Sequence, residues 1–124
     1  MRILVADDSN VIRQIVRGSA KVLGHETLEA ATGQEAVRLL RAHHTSIVLA
    51  VLDWKMPRGG GLEILREMRS DERLSKIPVL MLVTRRDSEE VAKAMAEGAT
   101  DCLAKPFSQQ DLATRMHECL LNAA

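Results

Sequence analysis

Short, nearly continuous apolar runs alternate along the chain with segments that have a helical hydrophobic period. The clearest runs are residues 3–6, 47–52 and 78–83, which are rich in Val, Ile and Leu without polar alternation. Such runs are typical of strands covered on both faces, as in parallel sheets. Two more polar runs, Glu26–Ala30 and Asp101–Ala104, predict shorter strands or strands nearer the sheet edge.

Each predicted strand is followed by a segment whose apolar residues recur with the period of an α-helix. Candidate N-cap residues precede three of these segments, Ser9, Thr32 and Ser108, and the fourth segment is expected to start near Asp87-Ser88. The third segment instead follows the cluster of glycines at 59–61, which indicates a flexible turn and lacks the spacing of a phosphate-binding loop. Strict alternation of strand and helix predicts an α/β domain with a parallel sheet between two helical layers.

The composition argues against a nucleic-acid-binding protein. Seventeen Lys and Arg balance seventeen Asp and Glu, and aromatics make up only 2% of the 124 residues. A nucleic-acid-binding domain normally has a basic excess, and base stacking needs aromatic rings, so we expect no direct binding to nucleic acid.

The sequence also indicates a cytoplasmic protein without membrane contact. No apolar run approaches the ~18 residues that a membrane-spanning helix needs. Acidic residues at positions 7 and 8 come too early for a signal peptide. Cys102 and Cys119 lack metal-ligand spacing and are interpreted as isolated thiols in a reducing compartment.

Polar side chains follow four of the predicted strands. They are Asp7 and Asp8 after the first, Asp53 after the third, Thr84 after the fourth and Lys105 after the fifth. Ligands of an open parallel sheet bind outside the carboxyl ends of its strands, so these side chains are expected to converge. Three carboxylates resist joint ionisation without a cation, and oxygen ligands suit a hard divalent ion, most simply Mg²⁺.

The charges of this predicted site suggest phosphoryl chemistry. Three carboxylates, Lys105 and one Mg²⁺ sum to zero, and an arriving phosphoryl group finds compensating contacts with Mg²⁺, Lys105 and Thr84. A carboxylate can itself act as the nucleophile and form an acyl phosphate. No His or Cys of the chain lies in these loops to compete for that role.

In their order and spacing these motifs resemble the response-regulator receiver domain of two-component signalling, typified by the bacterial chemotaxis regulator. The stretches that carry the resemblance are Asp7-Asp8, Asp53-Trp54-Lys55-Met56-Pro57 with Gly61, Val79-Leu80-Met81-Leu82-Val83-Thr84, and Gly98-Ala99 with Lys105-Pro106-Phe107. The resemblance runs over essentially the whole chain and implies a single receiver domain over residues 1–124. It also implies a doubly wound, flavodoxin-like (βα)5 fold with strand order 2-1-3-4-5.

The resemblance implies a role for each residue of the acidic cluster. Asp53 is similar to the phosphoacceptor of the family. Asp8 and Asp53 would hold Mg²⁺ directly with the backbone carbonyl of Lys55, and Asp7 would act through water.

It further implies that Thr84 and Lys105 bind phosphoryl oxygens, with a cis peptide bond between Lys105 and Pro106. A sensor histidine kinase or a phosphotransfer protein would supply the phosphate. A downstream effector would meet the face formed by the fourth helix, fifth strand and fifth helix. Such a domain is a regulatory phosphoacceptor, limited to self-phosphorylation and autodephosphorylation, rather than an enzyme.

Four residues depart from the usual family pattern or vary within it. The family's switch aromatic, three residues before the Lys, is Cys102 here, and the usually small residue after Thr84 is Arg85. Lys55 and Arg86 are basic at positions that the family uses to tune the lifetime of the phosphoryl group. We therefore expect phosphorylation to be retained and the usual coupling from Thr84 to an aromatic ring to be altered.

Two other functions are alternatives. One is a Mg²⁺-dependent phosphohydrolase with an Asp nucleophile, but such enzymes usually have a second Asp where this chain has Lys55. The other is a flavin binder of the same topology, whose phosphate the carboxylates would repel and which would colour the purified protein.

Overall fold

The computed structural model describes residues 1–85 and 88–122, and they form alternating strands and helices. The strands are β1 (Arg2–Ala6), β2 (Glu26–Ala30), β3 (Ile47–Asp53), β4 (Val79–Val83) and β5 (Asp101–Ala104). The helices are α1 (Asn10–Val22), α2 (Gly33–Ala42), α3 (Gly61–Ser70), α4 (Glu89–Ala96) and α5 (Gln109–Leu121). None of these helices is long and apolar enough to cross a bilayer.

The strands form one parallel sheet in the order β2-β1-β3-β4-β5, which confirms the predicted fold class. The more polar strands, β2 and β5, lie at the two edges, as their composition predicts. The apolar strands lie in the middle, where helices cover both faces.

Alternate side chains of the central strands pack into separate cores on the two faces of the sheet. Leu4 of β1 and Leu52 of β3 pack with residues of α2, α3 and α4, including Leu40 and Leu65. The opposite core contains Val16 of α1 and residues of α5. Because both faces are covered, open space for polar ligands remains at the ends of the strands.

The three predicted N-caps are confirmed, and Ser88 caps α4 at the start expected from the sequence. Ser9 Oγ accepts from Ile12 N at 3.2 Å, and Thr32, Ser88 and Ser108 accept in the same way from the residue three positions later. Each such bond satisfies a backbone donor that the helix leaves free and contributes about 1 kcal/mol to stability. The caps therefore fix where four of the helices begin.

The glycine turn before α3 is closely packed at Gly60 and Gly61. A Cβ at Gly60 would lie 2.2 Å from the carbonyl oxygen of Trp54, and a Cβ at Gly61 would lie 2.7 Å from that of Asp53. A side chain at either position would collide with backbone atoms. The absence of side chains allows α3 to begin directly against the end of β3.

Two arginines of α3 hold the C-terminal end of α4. Arg69 donates from Nε and Nη2 to the carbonyl oxygen of Gly98 at 3.1 and 2.9 Å. Arg66 Nε forms an ion pair with Glu97 Oε1 at 2.6 Å. Because Glu97 and Gly98 directly follow α4, these contacts fasten that end of the helix to α3.

Candidate functional site

Three carboxylates meet between β1 and β3, where the order of the strands in the sheet reverses. Asp7 and Asp8 follow β1, and Asp53 is the last residue of the neighbouring strand β3. One oxygen of each lies within 4.8 Å of the others. A reversal of strand order opens a crevice at the carboxyl ends of the strands, which is where α/β proteins bind ligands. The structure thus brings together the three Asp residues singled out in the sequence.

The three carboxylates differ in their exposure. Asp7 is fully buried, Asp53 is 7% exposed and Asp8 is exposed. Asp7 Oδ1 accepts from the backbone N–H of Ser9 at 2.8 Å, which ties it to the cap of α1. The cluster therefore has a buried floor and one carboxylate that faces solvent.

Lys105 lies between the two buried carboxylates. Its Nζ is 2.9 Å from Asp7 Oδ2 and 3.2 Å from Asp53 Oδ1. The Lys105–Pro106 peptide bond is cis, as the resemblance implies. Burial opposes the ammonium charge, but the hydrogen bond to Asp7 and the charges of both carboxylates outweigh it and raise the pKa of Lys105.

The environment of Asp53 disfavours its negative charge. Burial is the largest cause and the charge of Asp7 the second, and together they raise the pKa of Asp53 although Lys105 and the backbone of Lys55 act in the opposite direction. One ammonium facing three carboxylates leaves formal negative charge at the site. An oxygen-only donor set with excess negative charge fits a hard divalent cation such as Mg²⁺.

Thr84 lies at the same edge, one residue after β4, and is bound by a glutamate that the sequence analysis missed. Its hydroxyl donates to Glu90 Oε2 at 2.8 Å, and its backbone N–H donates to Glu90 Oε1 at 2.9 Å. Glu90 is the second residue of α4. The only signal in the sequence is an acidic residue in a first helical turn, which is commonly explained by the helix dipole.

The remaining predicted residues are Lys55, Arg85, Arg86 and Cys102. Lys55 and Arg85 are exposed, and Arg86 lies outside the described residues. Cys102 is buried on β5 and lines a cavity of about 460 Å³ with Val83, Met95 and Phe107. An open space therefore lies beside the small thiol of Cys102 at the edge of the sheet.

Known proteins are similar to this chain in both sequence and fold. The family model for the response regulator receiver domain matches residues 3–117. The chain is 37% identical over 121 residues to the chemotaxis protein CheY1 of Helicobacter pylori, covering 97% of each, and 34% identical over 119 residues to the chemotaxis protein CheY of Pseudomonas aeruginosa, covering 95% and 94%. Its structure superposes on chemotaxis protein CheY4 of Vibrio cholerae with a TM-score of 0.86 at 30% identity, covering 95% and 97%. The chain belongs to the response regulator receiver domain family.

Proposed function

We propose that this chain is a phosphorylation-activated switch of a two-component system, in which Asp53 accepts a phosphoryl group from a histidine kinase or a phosphotransfer protein. The observation that carries the proposal is the position of Asp53, which is buried at a strand end and shares the ammonium of Lys105 with Asp7. Receiver domains of the chemotaxis type are regulatory rather than catalytic. In this proposal residues 1–124 form one receiver domain.

The transfer replaces a phosphorus–nitrogen bond with a phosphorus–oxygen bond. A carboxylate oxygen of Asp53 attacks the phosphorus of a phosphohistidine, the P–N bond breaks, and the leaving imidazole nitrogen takes up a proton. The product is an acyl phosphate on Asp53. Attack by water on the same phosphorus breaks the O–P bond and returns the free carboxylate and inorganic phosphate.

Lys105 and Thr84 are proposed to bind the phosphoryl oxygens. Lys105 Nζ already lies 3.2 Å from Asp53 Oδ1, so its charge is in place before the reaction and needs little reorganisation. Phosphoryl transfer has a loose transition state, for which positioning and charge stabilisation supply most of the catalysis. Thr84 offers a hydroxyl proton at the same edge of the sheet.

The acidic cluster is proposed to hold Mg²⁺. Asp8, Asp53 and the backbone carbonyl of Lys55 would bind the ion directly, and Asp7 would act through a water molecule. When bound, the ion supplies positive charge that offsets the charge on the phosphoryl oxygens. The oxygen-only donor set and its excess negative charge support this assignment.

The output is proposed to be a change in a protein-binding surface. A downstream effector would bind the face formed by α4, β5 and α5, and no direct contact with nucleic acid is expected. Lys55, Arg85 and Arg86 are proposed to set the lifetime of the acyl phosphate.

Mass spectrometry of the intact protein tests the phosphoacceptor. Incubation with Mg²⁺ and acetyl phosphate is expected to add the mass of one phosphoryl group, which base treatment removes. Asp53→Asn is expected to abolish the addition because an amide is a poor nucleophile, whereas Asp71→Asn, in the turn after α3, is expected to retain it. Equal phosphorylation of wild type and Asp53→Asn would exclude Asp53 as the acceptor.

A further inference from the structure

The carboxylate of Glu90 binds both polar donors of Thr84. Oε2 accepts from the hydroxyl at 2.8 Å, and Oε1 accepts from the backbone N–H at 2.9 Å. Ser88 caps α4 through Val91 N and so fixes the first turn, where Glu90 is the second helical residue. Glu90 therefore connects the end of β4 to the start of α4 at the residue proposed to contact the phosphoryl group.

This contact and the proposed phosphoryl contact of Thr84 exclude each other. A threonine hydroxyl carries one proton, so while it donates to Glu90 it cannot donate to a phosphoryl oxygen on Asp53. A phosphoryl group and the Glu90 carboxylate are both anionic and cannot share that proton favourably. Thr84 must therefore leave Glu90 before it can bind a phosphorylated Asp53.

We propose that Glu90 is a positioning residue that holds Thr84 in its unphosphorylated arrangement, and that phosphorylation of Asp53 releases Glu90 and with it the start of α4. This inference rests on the proposed function of Asp53. It gives the switch a route to α4 that needs no aromatic ring, since Cys102 stands at the aromatic position. The carboxylate opposes the phosphorylated state and so sets how easily the protein switches.

The first measurement needs neither phosphate nor Mg²⁺. Amide hydrogen exchange is compared for wild type, Glu90→Ala and Glu89→Ala. Glu89 is a matched control because it lies in the same first turn, is exposed and has no hydrogen bond or ion pair within residues 1–85 and 88–122. The Thr84 amide and the first turn of α4 are expected to exchange about tenfold faster in Glu90→Ala, the loss typical of one charge-assisted hydrogen bond, and to be unchanged in Glu89→Ala.

The second measurement uses beryllofluoride, a phosphoryl mimic, with Mg²⁺. Its affinity is followed by Trp54 fluorescence and by NMR. Glu90→Ala is expected to bind the mimic about tenfold more tightly than wild type or Glu89→Ala, because Thr84 no longer has to leave a charged acceptor. In a Thr84→Val background the same Glu90 substitution is expected to lose most of this effect. A merely structural role of Glu90 would not depend on the hydroxyl.

The two measurements separate failure of this inference from failure of the proposed function. Unchanged exchange at Thr84 in Glu90→Ala would overturn the inference whatever Asp53 does. Faster exchange with unchanged affinity for beryllofluoride would also overturn it. If wild type fails to bind beryllofluoride with Mg²⁺ and Asp53 takes up no phosphate, the proposed function fails and the inference fails with it, while the exchange data still establish the contact.

Discussion

Lys105 donates a hydrogen bond from Nζ to Asp7 Oδ2 at 2.9 Å, so an ammonium near one end of the sequence neutralises a fully buried carboxylate near the other end. The same nitrogen lies 3.2 Å from Asp53 Oδ1. One cation is thus shared between two carboxylates. Any change in the charge of Asp53 therefore also changes how well Asp7 is neutralised.

Replacing Lys105 is expected to destabilise the protein in the absence of metal. Lys105→Ala leaves buried Asp7 without its cation, and we expect the free energy of unfolding to fall by about 2 kcal/mol. Added Mg²⁺ is expected to recover part of this loss by supplying positive charge. Urea titrations with and without Mg²⁺ measure both effects. Lys76→Ala is the control because Lys76 is exposed and has no ion pair in the described residues; an equal loss there would contradict the explanation.

Binding of Mg²⁺ is expected to change the fluorescence of Trp54, which is half-buried and adjacent to Asp53. Asp8→Ala removes the solvent-facing carboxylate and is expected to weaken Mg²⁺ binding about tenfold or more. Glu26→Ala, at the opposite end of the strands, is expected to bind like wild type. A flat titration by fluorescence and by calorimetry would contradict a divalent site.

Gly61→Ala is expected to be strongly destabilising. The added Cβ would lie 2.7 Å from the carbonyl oxygen of Asp53 and 2.5 Å from Met81 Sδ, and relief of this overlap is expected to cost about 2–3 kcal/mol. Gly18→Ala is the matched control. Its Cβ would meet only a side-chain atom of Gln109 at 3.6 Å, so helix propensity is expected to raise stability by about 0.5–1 kcal/mol. Thermal or urea unfolding of the two variants gives the comparison, and similar stabilities would refute it.

Both cysteines are expected to react slowly in the folded protein. Burial, with the charge of Asp101, raises the pKa of Cys102 and Cys119 from 9.0 to about 11. At pH 8 only about one thiol in a thousand is then ionised, and the thiolate is the reactive form. Alkylation by iodoacetamide is therefore expected to be about a hundredfold slower than in urea-unfolded protein. Equal rates would show that the thiols are accessible and ionised.

The same pKa shift predicts how stability depends on alkaline pH. Below pH 9 both the folded and the unfolded thiols are protonated, so these groups make no pH-dependent contribution. Between pH 9 and about 11 the unfolded state loses its thiol protons first, and stability is expected to fall as the pH rises. A double Cys→Ser variant is expected to lack this component in urea titrations across the range.

Lys55 is expected to slow the loss of phosphate from Asp53. A long cation near the acyl phosphate can pair with phosphoryl oxygens in the ground state and displace the attacking water, and it cannot act as a general base at neutral pH. Lys55→Ala is expected to lose phosphate about two- to fivefold faster than wild type or Lys76→Ala. Intact-protein mass spectra over time measure the decay. A slower loss in Lys55→Ala would reverse the assigned effect.

The fold and the acidic cluster could be predicted because they depend on local patterns. Apolar runs such as 47–52 mark buried strands, and residues that follow parallel strands must share one edge of the sheet. The resemblance to receiver domains then assigned a separate role to each residue at that edge.

The contact between Thr84 and Glu90 could not be predicted in the same way. It depends on where α4 begins and which way its first turn faces, and an acidic residue in a first helical turn is common for other reasons. The close packing of Gly60 and Gly61 could not be predicted either, because a cluster of glycines is as typical of a loose turn as of a closely packed one. Both depend on distances of closest approach between backbone segments, which hydrophobic periodicity does not encode.

The unequal attachment of α4 has a mechanical consequence. Its C-terminal end is fastened by Arg66 and Arg69, whereas its start is tied to β4 through Glu90. If phosphorylation releases Glu90 as proposed, the contacts of Arg69 with Gly98 would make that end of α4 the point about which the helix turns. Eight residues of helix make an arm of about 12 Å, so a rotation of about 10° displaces its start by about 2 Å and its last turn hardly at all. A partner that binds α4 near Ser88 would therefore distinguish the phosphorylated from the unphosphorylated protein best, because the displacement of the helix is largest there.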